Sequence, residues 1–311
     1  MKITILGSGA YAIAMSKILK QDNEIFLWSK FEDEIITLKK DNENISCLPG
    51  FKLDNVTLTS DLKYALNNSS IVIVAIPASA VDNVIHEASK YITNQVICLT
   101  TKGMDNNLTI ADIVNKYLTC NLCILSGPTI AKDMASNSTV GITLAGKNDI
   151  CEYIKNNINT TNIDIDITND IKGVEISSSI KNIFAVIMGM VDMYSDSTKA
   201  SMFTVLFNDF KVICELLGSN KDSIYLYSGI GDLFLTCTST NSRNYLFGKC
   251  YINSIEKTLD KLNVTTVEGV YTLKSIYNIL NDKKIKIKSI DILYNIVYNN
   301  LDKNNILRII K

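Results

Sequence analysis

Lys181 is a charged residue in a run that reads as an apolar helix. Its neighbours are Val174, Ile176, Ile180, Ile183, Phe184, Val186 and Ile187, and at helical spacing it shares a face with Ser177, Ser178 and Phe184. Such a lysine either snorkels its ammonium to water or is buried for a purpose. Burial and nearby positive charge both depress a lysine pKa, which makes a usable general base near neutral pH. Arg243 is one of two arginines in a chain with 31 basic residues. Its planar fork can hold an oxyanion through paired hydrogen bonds that a lysine cannot reproduce. With Ser242 and Asn244 beside it, Arg243 reads either as a phosphate clamp or as a surface arginine in a turn. Lys102 can stabilise a developing negative charge, and Asp232 can orient the lysine or bind a substrate hydroxyl. Thr100-Thr101-Lys102-Gly103, Ser126-Gly127-Pro128-Thr129, Gly229-Ile230-Gly231-Asp232-Leu233 and Val267-Glu268-Gly269 are polar clusters in an otherwise apolar background. The single histidine, His86, sits in an apolar helical stretch and reads as structural or exposed. A histidine triad or multi-histidine metal site therefore has little support.

A second chemistry is written near the N-terminus. Gly7-Ser8-Gly9-Ala10-Tyr11-Ala12 is a G-x-G-x-x-A turn that follows the apolar run Lys2–Leu6 and opens a helical stretch. In such a turn the first glycine permits the tight bend, and the second lets a diphosphate approach the backbone. The small sixth residue lets helix and strand pack closely. The helix N-terminus then offers N–H groups and partial positive charge to the anion. Together these features predict dinucleotide binding. After the second strand come Ser29 and Lys30, with Glu32 and Asp33 displaced into the next helix. Ser29 and Lys30 suit a 2′-phosphate; the other reading of Lys30 is a solvated surface lysine.

These groups need a frame. From residue 1 to 168, strand-like runs (Lys2–Leu6, Glu24–Trp28, 71–76, 96–100, 123–126, 140–145 and 163–167) alternate with helical stretches such as 10–19, 81–91 and 110–117. That alternation predicts an α/β, Rossmann-like, doubly wound domain with a mostly parallel sheet. From 169 to 311 the strand signals stop, and an all-α domain is expected, beginning with long helices over 170–193 and 197–217. With 47% apolar residues the chain can build sizeable cores, and a net charge of −1 gives no bulk attraction for nucleic acid or anionic membrane. Apolar runs fall well short of the roughly 18 residues a membrane span requires, and no signal peptide is apparent. A cytoplasmic protein is the default expectation. The eight cysteines read as reduced thiols, and the single C-x-x-C, Cys120 and Cys123, lacks the second pair of a zinc ribbon.

Taken in order along the chain, the motifs resemble the bacterial NAD(P)-dependent glycerol-3-phosphate dehydrogenases. The set is the glycine turn, Leu48-Pro49, Thr101-Lys102-Gly103, Ser126-Gly127-Pro128-Thr129, Lys181-Asn182, Gly231-Asp232-Leu233 with Leu235-Thr236-Cys237-Thr238, Ser242-Arg243-Asn244 and Val267-Glu268-Gly269. The resemblance implies a dinucleotide domain and a helical substrate-binding and catalytic domain. It implies interconversion of sn-glycerol 3-phosphate and dihydroxyacetone phosphate with NAD(P)H, supply of glycerol 3-phosphate for phospholipid synthesis, and a homodimer. By motif, Lys181 is the proton acceptor, with Lys102 and Asp232 as further catalytic groups. Lys102, Gly127, Thr129, Lys181, Asp232, Ser242, Arg243 and Asn244 contact substrate. Gly7, Gly9, Ala10, Tyr11, Ala12, Lys30, Lys102, Ala131, Arg243 and Glu268 contact the cofactor. Two departures stand out: Thr204-Val205-Leu206 lies where members often carry Thr-Arg-Gly, and Ser177-Ser178-Ser179 where glycine-rich segments are common. Competing readings are a dehydrogenase acting on a 3-hydroxy acid, with Arg243 on its carboxylate, and a cofactor-sensing binding protein without chemistry.

Overall fold

The computed structural model describes residues 1–105 and 108–311. It divides into two compact units, Met1–Ile171 and Lys172–Lys311. In the first unit the elements run β1 (Lys2–Leu6), α1 (Ala10–Ile18), β2 (Glu24–Trp28), α2 (Glu32–Asp41), β3 (Val56–Thr59), α3 (Leu62–Leu66), β4 (Ile71–Val74), α4 (Ala78–Ala88) and β5 (Val96–Leu99). A short antiparallel pair, β6 (Met104–Asp105) and β7 (Leu108–Thr109), leads into α5 (Ile110–Tyr117). Then come β8 (Asn121–Ser126), α6 (Ala131–Ala135), β9 (Val140–Gly146), α7 (Asn148–Lys155) and β10 (Ile163–Thr168).

Eight strands form one sheet in the order β10-β9-β8-β5-β4-β1-β2-β3. From β3 to β8 every neighbour is parallel; β9 is antiparallel to β8, and β10 runs parallel to β9. The chain steps outward from β1 to β3 and then crosses to β4 on the other side of β1. The β1–β4 border is therefore the switch point of the winding, where sheets of this kind leave a crevice at the strand C-termini. Strands β4 and β5 are buried along their whole length, as expected when both faces are covered. One face, bearing Ile3, Ile5, Leu27 and Ile73, shares a core with Ile13 of α1 and Leu38 of α2.

Some elements differ from the sequence expectation. β3 was not anticipated, because Val56-Thr57-Leu58-Thr59 is a four-residue edge strand with only two buried positions. The helix expected from residue 81 begins at Ala78, directly after Pro77, whose backbone (φ −56°) suits a helix entry.

The second unit is helical: α8 (Ile171–Met190), α9 (Asp196–Leu217), α10 (Asp232–Thr238), α11 (Arg243–Cys250), α12 (Ile255–Leu262), α13 (Glu268–Asp282) and α14 (Lys288–Tyr298). A π-helical turn, Tyr227–Gly231, leads into α10. α8 is buried from Gly173 to Met190 and runs through the core. It lies against α11 through glycines. A Cβ on Gly189 would sit 1.9 Å from the Tyr245 carbonyl oxygen, and one on Gly248 would sit 1.9 Å from that of Val186. Phe184 of α8 meets Phe210 of α9 edge-on at 5.9 Å between ring centres. Elsewhere asparagine takes positions that commonly go to glycine: Asn42 and Asn263 end α2 and α12 in the left-handed conformation. Among the described residues, no helix is long and apolar enough to cross a membrane.

Candidate active site

The glycine turn connects β1 to α1 at the switch point. Gly7 has φ +129°, and a Cβ there would lie 2.4 Å from the Ala75 carbonyl oxygen, so both backbone and packing demand glycine. Gly9 is different. Its backbone is ordinary and extended, and nothing in the chain lies within 4 Å of a Cβ built on it. The fold does not need glycine at that position, but a group laid against the first turn of α1 would. That turn has no side-chain cap, so the start of α1 fits the diphosphate of a dinucleotide. Ala12 is fully buried beneath it, and Ala10 is half-buried at its opening. Ser8 is held from outside by a residue that sequence reasoning missed. Buried Asn44 donates its amide to the Ser8 carbonyl at 3.1 Å and accepts from the Ser46 hydroxyl at 2.7 Å. The signal available was weak, since Asn44 merely precedes the Leu48-Pro49 pair.

At the end of β2, Ser29 is buried and donates its hydroxyl to the Glu34 carboxylate, while accepting from the Phe31 N–H. Lys30 is exposed and lies 3.8 Å from Glu87. Of the pair proposed for a 2′-phosphate, only Lys30 is thus at the surface, and its surroundings carry both charges.

On the same side of the sheet, beyond β5 and β8, Lys102 and the Gly127-Pro128-Thr129 loop come together. Lys102 donates from Nζ to the Gly127 carbonyl at 3.1 Å. Thr129 turns back on the same carbonyl through its N–H (2.8 Å) and its hydroxyl (3.3 Å). Gly127 is required by packing, since a Cβ would approach the Gly141 carbonyl oxygen to 2.7 Å. The Tyr11 hydroxyl lies 3.0 Å from that of Thr129, across 118 residues of sequence. Ala131 opens α6 just beyond this loop.

In the second unit, Lys181 is 5% exposed, and its Nζ lies 2.5 Å from Oδ2 of Asp232, itself 2% exposed. Of the two readings open for a lysine on α8, burial is the one realised. Asp232 is the first residue of α10, where the π-helical turn Tyr227–Gly231 runs on into the α-helix. Breaking a buried pair of this type by removing one partner costs about 3–5 kcal/mol, because the other charge is left stranded. Cys237, one turn further along α10, is buried beside the pair. Burial pushes its thiol well above the usual range, with Lys181 pulling it down and Asp232 raising it further. Arg243 occupies the first position of α11 and is exposed. Ser242 caps that helix by accepting from the Tyr245 N–H at 3.3 Å, which leaves its own hydroxyl hydrogen available. Asn244 is buried and accepts from the Gly269 N–H at 2.8 Å. Asn182, absent from the expected contacts although adjacent to Lys181, donates to exposed Glu268 at 3.0 Å. Gly269 closes this arrangement: a Cβ on it would meet the Asn182 carbonyl oxygen at 2.4 Å.

The two departures from the motif pattern have local explanations. Leu206 is fully buried and Val205 packs partly buried on the helical core, so both side chains serve packing. Ser177 and Ser179 return their hydroxyls to the Val174 and Glu175 carbonyls of their own helix at 3.0 and 2.9 Å. The C-x-x-C pair does not act as a unit, because buried Cys123 has Cys151 as its neighbour at 3.8 Å between sulfurs. Among the described residues no group of three or more His, Cys, Asp or Glu could hold a metal ion.

A glycine turn at the switch point of a mostly parallel sheet, followed by a helical unit with a buried lysine–carboxylate pair, fits a dinucleotide-dependent dehydrogenase. Residues 2–152 match the family of the NAD-dependent glycerol-3-phosphate dehydrogenase N-terminus, and residues 170–308 that of its C-terminus. The chain belongs to that family. It is 31% identical to glycerol-3-phosphate dehydrogenase (NAD(P)+) of Syntrophomonas wolfei, with 96% of this chain and 91% of the relative covered. The enzyme of the same name from Bacillus subtilis is 30% identical, with 96% and 90% covered. Among solved structures, glycerol-3-phosphate dehydrogenase of Coxiella burnetii has the same fold, with a TM-score of 0.88 at 23% identity and 99% and 97% of the two chains covered.

Proposed function

We propose that Lys181 carries the substrate hydroxyl proton in the interconversion of sn-glycerol 3-phosphate and dihydroxyacetone phosphate. As a member of its family the protein is an oxidoreductase, a glycerol-3-phosphate dehydrogenase that uses NAD(P). The observation carrying the proposal is the Lys181 ammonium, buried on an apolar helix and bound at 2.5 Å to Asp232. In the reducing direction that ammonium gives its proton to the oxygen developing on the substrate's second carbon. In the oxidising direction the amine takes the proton back. Asp232 compensates the charge and fixes the amine's direction. Lys102, tethered to the Gly127 carbonyl, offers a positive charge that stabilises the negative charge developing on the substrate, and Thr129 adds a hydroxyl. Arg243, with Ser242 and Asn244, holds the phosphate, which is remote from the reacting carbon and serves as a handle for positioning.

Residues 1–168 serve as the dinucleotide-binding domain, and residues 169–311 as the substrate-binding and catalytic domain. Gly7, Gly9, Ala10, Tyr11 and Ala12 form the cofactor loop, which holds the diphosphate through backbone N–H groups at the start of α1, with Ala12 packed beneath. Lys30, Lys102, Ala131, Arg243 and Glu268 complete its contacts. When bound, the dinucleotide supplies or accepts the hydride. The product feeds phospholipid synthesis, and the protein works in the cytoplasm as a homodimer.

A parallel assay tests the activity: dihydroxyacetone phosphate with NADH and with NADPH, followed by loss of near-ultraviolet absorbance. Loss dependent on dihydroxyacetone phosphate is expected, with a 3-keto acid inert in its place. Turnover of the keto acid alone, or tight dinucleotide binding with no turnover, would overturn it.

A further inference from the structure

The Tyr11 side chain reaches a loop that its place in the glycine turn does not predict. Its hydroxyl is 3.0 Å from the Thr129 hydroxyl, and the Thr129 hydroxyl is 3.3 Å from the Gly127 carbonyl. A carbonyl can only accept. Thr129 has one hydroxyl hydrogen, so both contacts are hydrogen bonds only if Thr129 donates to Gly127 and Tyr11 donates to Thr129; the reverse assignment satisfies one contact and loses the other. The Gly127 carbonyl also receives the Thr129 N–H at 2.8 Å and the Lys102 ammonium at 3.1 Å. Three donors share two lone pairs, and the hydroxyl contact is the longest of them. The Thr129 hydrogen is therefore the one most easily turned toward another acceptor. Tyr11 occupies the acceptor side of that hydroxyl and prevents it from pointing backwards.

We propose that Tyr11 is a positioning residue for the substrate, acting through Thr129: its phenol directs the Thr129 O–H toward an oxygen of the phosphorylated three-carbon ketone. The helix start that takes the dinucleotide thereby also sets one substrate donor beside Lys102. This rests on the assignment of Thr129 and Lys102 to the substrate.

Tyr11→Phe keeps the ring and removes only the hydroxyl. Loss of one oriented hydrogen bond is expected to raise KM for dihydroxyacetone phosphate about fivefold. The Kd for NADH, read by equilibrium fluorescence titration without substrate, should stay within about twofold of wild type. In a Thr129→Val background, which lacks the hydroxyl to be oriented, Tyr11→Phe should produce no further rise in KM. A Kd shift as large as the KM shift would make the Tyr11 hydroxyl itself a dinucleotide contact and overturn the inference, as would additive effects in the double variant. A normal KM for Thr129→Val would remove Thr129 from the substrate site and the inference with it. A raised KM for Thr129→Val beside a normal one for Tyr11→Phe would sink the role of Tyr11 alone.

Discussion

The start of α1 and the middle of α8 are both expected to meet a charged ligand, and they are built in opposite ways. At α1 the chain withdraws its side chains: Gly9 is exposed, with open space where a Cβ would stand. At α8 it places a charged side chain in the interior, where Lys181 is compensated by Asp232 at 2.5 Å. A site made of backbone recognises shape and charge with groups every residue has, so what matters is which side chains are missing. A site made of a buried ion pair depends on one specific partner and is damaged if either member is lost. The first suits holding a common cofactor; the second suits moving a proton.

That contrast can be broken by experiment. The largest effect is expected from Lys181→Ala, which should lower kcat by at least about 100-fold while leaving the Kd for NADH near wild type. A kcat close to normal would deny Lys181 its proton-carrying role, and a lost Kd would show that the two regions are not separable. Next come the glycines. Gly9→Ala should weaken dinucleotide binding by about ten- to thirtyfold, because the added methyl takes up ligand space, with little change in melting temperature. Gly7→Ala should weaken binding and also lower stability by more than about 1 kcal/mol, since its positive φ and the Ala75 carbonyl both oppose a Cβ. Equal melting curves for the two variants would refute the distinction between a glycine kept for the ligand and one kept for the fold. The smallest effect is that of Arg243→Lys, expected to raise KM for the phosphorylated substrate about five- to tenfold at nearly constant kcat. An unchanged KM would mean that the phosphate is held elsewhere.

Residues close in sequence carried much of this architecture openly. The turn from Gly7 to Ala12 announces itself because its requirements are local: a sharp bend, a helix start and a small residue beneath it. The alternation of apolar runs with helical stretches likewise announces the parallel sheet, because each period is set by the geometry of one element. Edge strand β3 did not show, since four residues with two buried positions carry too little pattern. Nor could the chain order reveal that β9 turns antiparallel, because an apolar run looks the same in either direction.

The contacts that give the site its character join distant residues. Lys181 was visible as a lysine among apolar neighbours, yet the same spacing allowed it to snorkel or to be buried, and only its meeting with Asp232 decides between them. Asn44 under Ser8, Asn182 on Glu268, Asn244 on Gly269 and Tyr11 on Thr129 leave no periodic trace. Amino-acid order reports what a residue can do within its own turn of helix or length of strand. Which donor meets which acceptor depends on how those elements cross, and that emerges only when the chain has folded.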